Sequence, residues 1–395
     1  MRFDYPGHLG ACRAPGGGDD PAVTTTDDDA GIRSPRVTAR IGVALGISFG
    51  ICFATGLLSH GIQHPPSWFE WIARPIWLYR VTQGVHVISG CVAIPLLLAK
   101  LAVVYPKLFD RPLIGSPARA LERASIAVLV AAGIFQLLTG LLNIAQWYPW
   151  AFFFPTAHYA MAYVAIGALA IHIAVKLPVI RAALDGPVDS RPVAQRRGPS
   201  GLTRRGFLNL TWVAGGLGAL AFAGQTIPLL RPVAFLAPRS GDGPQGLPIN
   251  RTAEAAGVIT AATDTDYRLS IASGGADREL SSADLRALPQ HTVDLPIACV
   301  EGWSVGATWT GVRLVDLAEL VGATGARGIR VISLERGLYA VSTLPTAQSQ
   351  DPLTLLALQL NGETLDIDHG YPARLIAPNL PGVMQTKWVS RIEVL

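Results

Sequence analysis

Five long apolar segments constrain this chain more than any other feature of its sequence. Each has about 20 residues or more, which is the length that a helix needs to cross the hydrocarbon core of a bilayer. Half of the 395 residues are hydrophobic, and the mean hydropathy is +0.36. We therefore predict a membrane-embedded all-α bundle of four spans plus a fifth anchor helix. The five spans are residues 38–60, 76–104, 124–145, 155–178 and 207–230.

Basic residues in the loops predict how these spans are oriented. Lys107, Arg111, Arg119 and Arg123 follow the second span, and seven more Lys and Arg side chains follow the fourth. The loop after the third span, WYPWAFFFP, carries no charge. Loops rich in Lys and Arg stay in the cytoplasm. We therefore expect a disordered cytoplasmic tail at residues 1–37, and a C-terminal domain outside the cytoplasmic membrane.

The basic linker, residues 181–206, ends in a recognisable sequence. Thr203-Arg204-Arg205-Gly206-Phe207-Leu208-Asn209, followed by an apolar run, resembles a twin-arginine export signal placed inside the chain. The alternative interpretation is an ordinary positive-inside anchor that happens to contain two arginines. Under either interpretation we expect residues 207–231 to form a fifth transmembrane helix. Ala221-Phe222-Ala223 is a candidate cleavage site, and an uncut anchor is the favoured alternative.

Histidines inside the predicted spans are the first candidates for chemistry, because ionisable residues at membrane depth are functional by default. His86 lies in the second span, and His158 and His172 lie in the fourth. Fourteen residues separate the last two, which places them about 21 Å apart and near one face of a helix. Two histidines so arranged suit two haems, one near each side of the membrane.

This placement resembles the four-helix cytochrome b subunits of formate dehydrogenases and hydrogenases, over residues 38–180. The resemblance implies that His86 and His158 ligate an outer haem b. His172 has no histidine partner near the inner end of the first span, so we expect no inner haem. His60 and His64 are alternative outer ligands, and the competing interpretation is that all these histidines are hydrogen-bonded packing residues of the bundle.

From about residue 245 the composition changes to that of a β-rich α+β domain, residues 245–395. Turn signals such as SGG, NG and PG separate its strand-like segments. Two short helical patterns, SSADLRALP and VDLAELVGATG, lie between them. The predicted strands are residues 267–272, 328–334, 338–344, 373–378 and 388–395.

Several motifs of this domain occur in the order found in the sulfite oxidase family. They are Cys299-x-x-x-Trp303, Trp309-x-Gly311, Asn361-Gly362-Glu363, His369-Gly370-x-Pro372-x-Arg374 and Lys387-Trp388-Val389. The domain resembles that family over about residues 265–395. The resemblance implies a molybdenum–molybdopterin cofactor with Cys299 as the thiolate ligand of the metal, and Cys299 is the one cysteine in this part of the chain.

The same resemblance implies contacts to the pterin and its phosphate. Arg374 and Lys387 match the cofactor-contacting positions, and His369 and Thr386 lie in the same motifs. Asn250 is a further candidate, although the family's N-terminal anchoring segment does not align clearly. Trp309 is interpreted as a core residue, and Trp303 is left open between core and pocket wall.

Together the two halves predict a membrane-bound molybdopterin-dependent oxidoreductase that transfers an oxygen atom, with electrons relayed through haem b. The reaction is either sulfoxide reduction, as in an envelope methionine-sulfoxide reductase, or sulfite-type oxidation, for which Arg313 and Arg336 are candidate anion-binding residues. The expected partners are a small oxo-donor or oxo-acceptor, membrane lipid, and a quinone or redox protein. The alternative is a membrane cytochrome, or a binding or assembly protein, with a degenerate, non-catalytic domain. Nucleic-acid binding has no support, since membrane topology already explains the basic clusters.

Overall fold

The structure, a computed structural model, describes residues 31–109, 111, 116–188, 202–236, 243–325 and 328–395. Most of the predicted tail, with Cys12, and residues 189–201 of the predicted linker therefore lie outside the described residues. Five of the described helices are long and apolar enough to cross a membrane. They are α1 (Pro35–Gln63), α2 (Leu78–Leu108), α3 (Pro117–Ile144), α4 (Phe154–Leu184) and α5 (Arg204–Ala223).

Three of these helices begin at a polar side chain that caps the first turn. Ser34, Ser116 and Thr203 each accept a hydrogen bond from the backbone N–H three residues ahead, at the starts of α1, α3 and α5. Proline follows the cap directly in α1 and α3, where its missing N–H removes no helical bond. Because α1 begins at Pro35, the last residues of the predicted tail are helical rather than disordered.

The first four helices form a ring, and α5 lies outside it. Helix α1 packs against α2 and α4, α3 packs against α4 and α2, and α5 packs mainly on α2. At Gly218 the two backbones approach so closely that a Cβ atom would lie 3.3 Å from the carbonyl oxygen of Cys91. Helix α5 ends at Ala223 rather than at residue 230, because Pro228 and Pro232 direct the chain into a 3₁₀ turn.

The C-terminal domain contains two five-stranded sheets, which confirms the predicted α+β, β-rich fold. One sheet has the order β2-β1-β10-β5-β6, with β1 and β10 parallel. The other has the order β3-β4-β7-β8, with β9 also paired to β7. The strands are β1 (Arg268–Ser273), β2 (Ala276–Ser281), β3 (His291–Ala298), β4 (Ser304–Arg313), β5 (Gly328–Ser333), β6 (Val341–Pro345), β7 (Leu355–Leu360), β8 (Glu363–Thr364), β9 (Arg374–Ile376) and β10 (Val389–Val394). Short helices lie between them: α6 (Ala253–Ala256), α7 (Ile259–Ala262), α8 (Ser282–Ala287), α9 (Leu314–Glu319) and α10 (Thr346–Ser349).

All five predicted strand segments contain a strand, namely β1, β5, β6, β9 and β10, and the two helical patterns are α8 and α9. The sequence reading missed β2, β3, β4, β7 and β8. Strand β7 lacks the alternation of a half-buried strand because five of its six residues are buried. Strand β3 contains Pro296, which is unusual within a strand that pairs along its length.

The C-terminal domain rests on one end of the bundle, against the α1–α2 loop, residues 64–77. Asn379 holds this end with three hydrogen bonds of 2.7 Å: its backbone oxygen accepts from the Trp71 indole, its side-chain nitrogen donates to the Ile72 carbonyl, and its side-chain oxygen accepts from the Tyr79 N–H. Arg74 donates two 3.0 Å bonds to the carboxylate of Asp351. Bundle and domain therefore share a specific polar interface.

Candidate functional site

Cys299 lies in a tight turn between β3 and β4. Its N–H donates to the Trp303 carbonyl at 2.9 Å, and its own carbonyl accepts from the Gly302 N–H at 3.1 Å. Gly302 has φ +97°, and a Cβ atom there would lie 3.0 Å from the Val87 side chain of α2. Only glycine suits both the left-handed backbone and the close approach. The turn is therefore in close contact with the helical bundle.

The environment of Cys299 disfavours a free thiolate. The side chain is buried, and burial is the main reason that its pKa is raised well above the ordinary value, with the nearby Glu301 carboxylate raising it further. Lys387 acts in the opposite direction. The side-chain nitrogen of Asn250 lies 4.0 Å from the sulfur. A sulfur in such a place becomes a thiolate readily only when a metal ion compensates its charge.

Arg374 is a buried cation with no carboxylate partner among the ion pairs of the described residues. One guanidinium nitrogen donates to the His369 carbonyl at 3.1 Å, whereas Nε is buried without a hydrogen-bond partner. The guanidinium lies 5.4 Å from the Trp309 ring centre, and burial lowers the pKa of Arg374 to about 10. A buried positive charge left in this way is matched by a bound anion such as a phosphate.

Lys387 is a half-buried cation that likewise has no carboxylate partner among the ion pairs of the described residues. Its Nζ donates to the carbonyl oxygens of Arg251 at 3.0 Å and Asp368 at 2.7 Å. Burial, followed by repulsion from Arg374, lowers the pKa of Lys387 to about 7. A buried cation, Arg374, and a half-buried one, Lys387, thus lie near the Cys299 sulfur, which is a charge pattern that suits an anionic, sulfur-bearing metal cofactor.

Two cavities meet at these residues. A small one of about 10 Å³ is lined by Cys299 and Trp303, among others. A large one of about 630 Å³ runs between the domain and the bundle. Both are lined by the same four residues: Asn250, Arg374, Gly382 and Lys387. The smaller space holds about one water molecule, so its walls have to move apart before a larger group can reach the sulfur.

The remaining predicted cofactor residues fall into two groups. Thr386 is buried, donates to Ser342 at 2.7 Å and lines the large cavity. The ring of His369 lines neither cavity and is bonded to the Pro244 carbonyl at 2.7 Å, so His369 acts on the site through the backbone oxygen that holds Arg374. Its pKa is lowered to about 4, mainly by burial.

The tryptophans and the candidate anion-binding arginines are also placed. Trp309 is fully buried and donates to the Leu295 carbonyl at 3.1 Å, as expected of a core residue. Trp303 is buried and lines the small cavity as well. Arg313 and Arg336 line neither cavity, and Arg313 is paired with Asp316 at 2.9 Å.

Sequence reasoning missed several residues of the large cavity. Glu301 and Glu335 are buried carboxylates in its wall, and Glu335 is paired with Arg251. Tyr339 lies beside them, and burial is the main reason that its pKa is raised. Glu301 lies within the cysteine motif and could have been singled out there. Glu335 and Tyr339 lie in the connection between β5 and β6, where no motif marks them.

His86 and His158 face each other inside the bundle. Their ring centres are 6.4 Å apart, with an angle of 72° between the ring planes. The Nδ1 atom of His86 lies 2.9 Å from the Cys52 carbonyl, and Nδ1 of His158 lies 3.1 Å from the Thr139 hydroxyl. Among the hydrogen bonds of the described residues, none involves Nε2 of either ring. Both rings line the large cavity.

The other histidines are placed differently. His60 and His64 line the large cavity near the α1–α2 loop, with His60 stacked on Tyr159 at 3.6 Å. His172 lies 14 residues beyond His158 in α4 and does not line this cavity. Towards that end of the bundle, Lys100 reaches across from α2 and donates to the Thr38 carbonyl at 2.8 Å.

Comparison with known proteins identifies the C-terminal domain. Residues 256–395 match the family model described as "Oxidoreductase molybdopterin binding domain". A sulfite oxidase of Arabidopsis thaliana is 33% identical over 152 residues, which cover 30% of this chain and 39% of the relative.

Two bacterial proteins are also similar. The uncharacterized oxidoreductase YuiH of Bacillus subtilis is 35% identical over 115 residues, covering 29% of this chain and 57% of the relative. A protein of Azospira oryzae, provisionally named as a protein-methionine-sulfoxide reductase subunit (YedZ1), is 29% identical over 129 residues, covering 32% of this chain and 48% of the relative. This chain thus spans less than two thirds of the length of each of these relatives.

Proposed function

We propose that this chain, whose C-terminal domain is a molybdopterin-binding domain of the sulfite oxidase family, is a membrane-bound oxidoreductase that transfers an oxygen atom. The observation that carries the proposal is the buried Cys299 beside two cations, Arg374 and Lys387, that have no counter-ion among the described ion pairs. A structural cysteine needs no such surroundings, whereas a thiolate-ligated anionic cofactor does.

The residues present fit a molybdenum–molybdopterin group. Cys299 would ligate the metal, Arg374 and Lys387 would bind the pterin phosphate, and Asn250 and Thr386 would contact the pterin. The bound cofactor supplies two-electron oxygen-atom transfer: reduction of an oxo-substrate consumes two electrons and two protons and releases water, and oxidation reverses this balance. Glu301 and Tyr339 are among the proton-exchanging side chains in the wall of the large cavity.

The charges around the cavity favour a neutral oxo-substrate such as a sulfoxide. Glu301 and Glu335 put negative charge into its wall. Of the three Arg and Lys residues that also line it, Arg251 is paired with Glu335, and Arg374 and Lys387 are assigned here to the pterin phosphate. Arg313 and Arg336 do not reach it. An anion such as sulfite would meet repulsion from Glu301, whose carboxylate is held by neutral donors. Sulfoxide reduction is therefore the direction we propose first, and sulfite-type oxidation is its competitor.

A haem b held by His86 and His158 is the proposed electron relay. His86 and His158 would hold the haem, which would carry electrons one at a time, and their rings face each other with centres 6.4 Å apart. Both Nδ1 atoms are held by the bundle, as is usual for metal-ligating histidines, and this leaves Nε2 for the iron. Gly56 and Gly140 leave space beside the two rings.

The proposed location is the cytoplasmic membrane, with the C-terminal domain outside. The domain docks on the end of the bundle that carries the α1–α2 loop, and the basic residues cluster at the other end. Export would use the twin-arginine-like motif, in which Arg204 is buried in the folded chain and donates to the Gly31 carbonyl at 3.0 Å. A membrane quinol or a redox protein would then exchange electrons with the haem.

Metal analysis and a reduced-minus-oxidised spectrum of the detergent-purified protein test the proposal. We expect about one molybdenum per chain, lost in Cys299→Ser, together with a b-type haem signal that is lost in His86→Ala but kept in Cys299→Ser. Assays with dye electron donors and sulfoxides, and with dye acceptors and sulfite, then decide the direction. If protein made in a host that supplies both metals contains neither of them, the enzyme proposal is overturned and a degenerate binding domain is favoured. Molybdenum without haem would overturn the relay alone.

A further inference from the structure

The turn that carries Cys299 is held from the membrane side by three amide side chains. Gln83 of α2 donates to the Val300 carbonyl at 3.0 Å, and Asn143 of α3 donates to the same oxygen at 3.5 Å. Gln146, just after α3, donates to the Glu301 carboxylate at 2.7 Å. Thus the two residues directly after Cys299 are both bonded to the bundle, and Glu301 also accepts a bond from Trp303 of its own domain at 3.0 Å.

These three side chains are called here the amide clamp. Gln83 and Asn143 are buried. A buried donor without a hydrogen-bond partner is destabilising, so the bonds to Val300 stabilise both amides. The Tyr148 hydroxyl donates to the Asn143 side-chain oxygen at 2.9 Å, which fixes the amide with its nitrogen toward Val300. Gln146 has φ +52°, a strained conformation for a residue other than glycine, which the surroundings must maintain.

The clamp lies one helical turn from the facing histidines. Gln83 precedes His86 by three residues in α2. In α3, Thr139 contacts Nδ1 of His158, and Asn143 follows it by four residues. Helix α2, which carries His86, and helix α3, which contacts His158 through Thr139, therefore each also send an amide to the Val300 carbonyl.

We propose that Gln83, Asn143 and Gln146 are positioning residues that fix the Cys299 turn from the bundle, so that the site of the C-terminal domain is complete only when it is docked. The role of the turn as a metal site rests on the proposed function, but the clamp itself acts on the chain without cofactor. Its effect is to hold the Cys299 sulfur at a set place relative to the His86–His158 pair.

The alkylation rate of Cys299 in cofactor-free protein tests this directly. Gln83→Met and Asn143→Leu keep side-chain size but remove the donor, and we expect each to speed reaction with iodoacetamide about tenfold, because about 1–2 kcal/mol of restraint on the turn is lost. Tyr148→Phe, which removes one hydroxyl, should speed the alkylation of Cys299 about threefold. Mass spectrometry of the Cys299 peptide separates this thiol from the other cysteines.

Arg74→Met is the matched control, since it removes one bond between bundle and domain, to Asp351, that lines neither cavity and leaves the three clamp bonds in place. We expect its Cys299 rate to stay within about twofold of the parent. Equal rates in all variants, or equal acceleration in Arg74→Met, would overturn the clamp. In protein that holds molybdenum, the clamp variants should also shift the molybdenum(V) electron paramagnetic resonance spectrum, and Arg74→Met should not. Protein that never binds molybdenum would defeat the proposed function, yet the alkylation rates would still decide the clamp.

Discussion

At the residue scale, the titration of Lys387 links the stability of the protein to pH and to the binding of an anion in the site. Its pKa is about 7 in the folded chain and 10.5 ordinarily, so between these values the unfolded chain binds more protons than the folded chain. Stability must then rise with pH across that interval and fall as the pH drops towards 7. An anion bound beside Lys387 would favour its charged form and weaken this dependence.

We therefore predict that the cofactor-free protein becomes more stable between pH 7 and about pH 9, by at most about 1.4 kcal/mol per pH unit. The measurement is the apparent Tm in detergent across this range. Lys387→Met should remove most of the slope, and protein loaded with cofactor should show a flatter one. A cofactor-free protein whose Tm falls over the same range would contradict the assignment.

Gly302 combines a left-handed backbone conformation with a close contact between the C-terminal domain and the bundle. Gly302→Ala places a methyl group 3.0 Å from Val87 on a backbone with φ +97°. We predict a loss of about 2–4 kcal/mol in stability, from the left-handed backbone together with overpacking, and reduced molybdenum retention.

Gly275 provides the control for this prediction, since its φ of +98° is nearly the same and no atom lies within 4 Å of an added Cβ. Gly275→Ala should lose only the part due to backbone strain, about 1 kcal/mol. Thermal unfolding of both variants separates the two contributions. Similar losses in both would show that the contact with α2 is unimportant.

At the scale of elements, Asn379 fastens the α1–α2 loop to the C-terminal domain. Its side chain makes two of the three bonds described above, to Ile72 and Tyr79. We predict that Asn379→Ala increases hydrogen exchange of the loop and of the first turn of α2 at least tenfold, since each lost bond in a buried place is worth about 1–2 kcal/mol. Hydrogen exchange followed by mass spectrometry of the peptides from these segments measures the change.

Asn361 offers a closely matched comparison within the domain. Both residues have a positive φ, +57° at Asn379 and +51° at Asn361, and the Asn361 side chain likewise makes two bonds, to Thr308 and Gln245. Asn361→Ala should speed exchange around β7 and β8 and leave the α1–α2 loop unchanged. If Asn379→Ala also left the loop protected, the loop would be held by its other contacts.

The elements that the sequence predicts are those with a local signal. Each apolar span is visible because its length and hydropathy are contained in one segment, and Cys299 is visible because its motif is contiguous. The amide clamp is not: Gln83 and Val300 are 217 positions apart, and an isolated glutamine in an apolar span shows no partner. The fully buried strand β7 likewise lacks the alternation that marks a strand. Long-range packing, rather than local propensity, decides these features.

At the scale of the whole molecule, charge and docking give one orientation. The end of the bundle away from the C-terminal domain carries these basic residues: Arg36, Arg40, Lys107, Arg119, Arg123, Lys176, Arg181, Arg204 and Arg205. The docked end carries Arg74 and Arg80, and Arg74 is neutralised by Asp351. Under the proposed location, the positive-inside rule would place the first end in the cytoplasm and the C-terminal domain outside.

Single cysteines at exposed positions test that orientation in a Cys12→Ser background, because Cys91 and Cys299 are buried and Cys52 is half-buried. Glu279→Cys lies on β2 of the domain, and Asp185→Cys lies just after α4 at the opposite end. In sphaeroplasts we expect a membrane-impermeant maleimide to label Glu279→Cys and to leave Asp185→Cys unlabelled until the membrane is broken. The reverse pattern would place the domain in the cytoplasm, where twin-arginine export would have no part, and the electrons would have to reach the site from the cytoplasmic side.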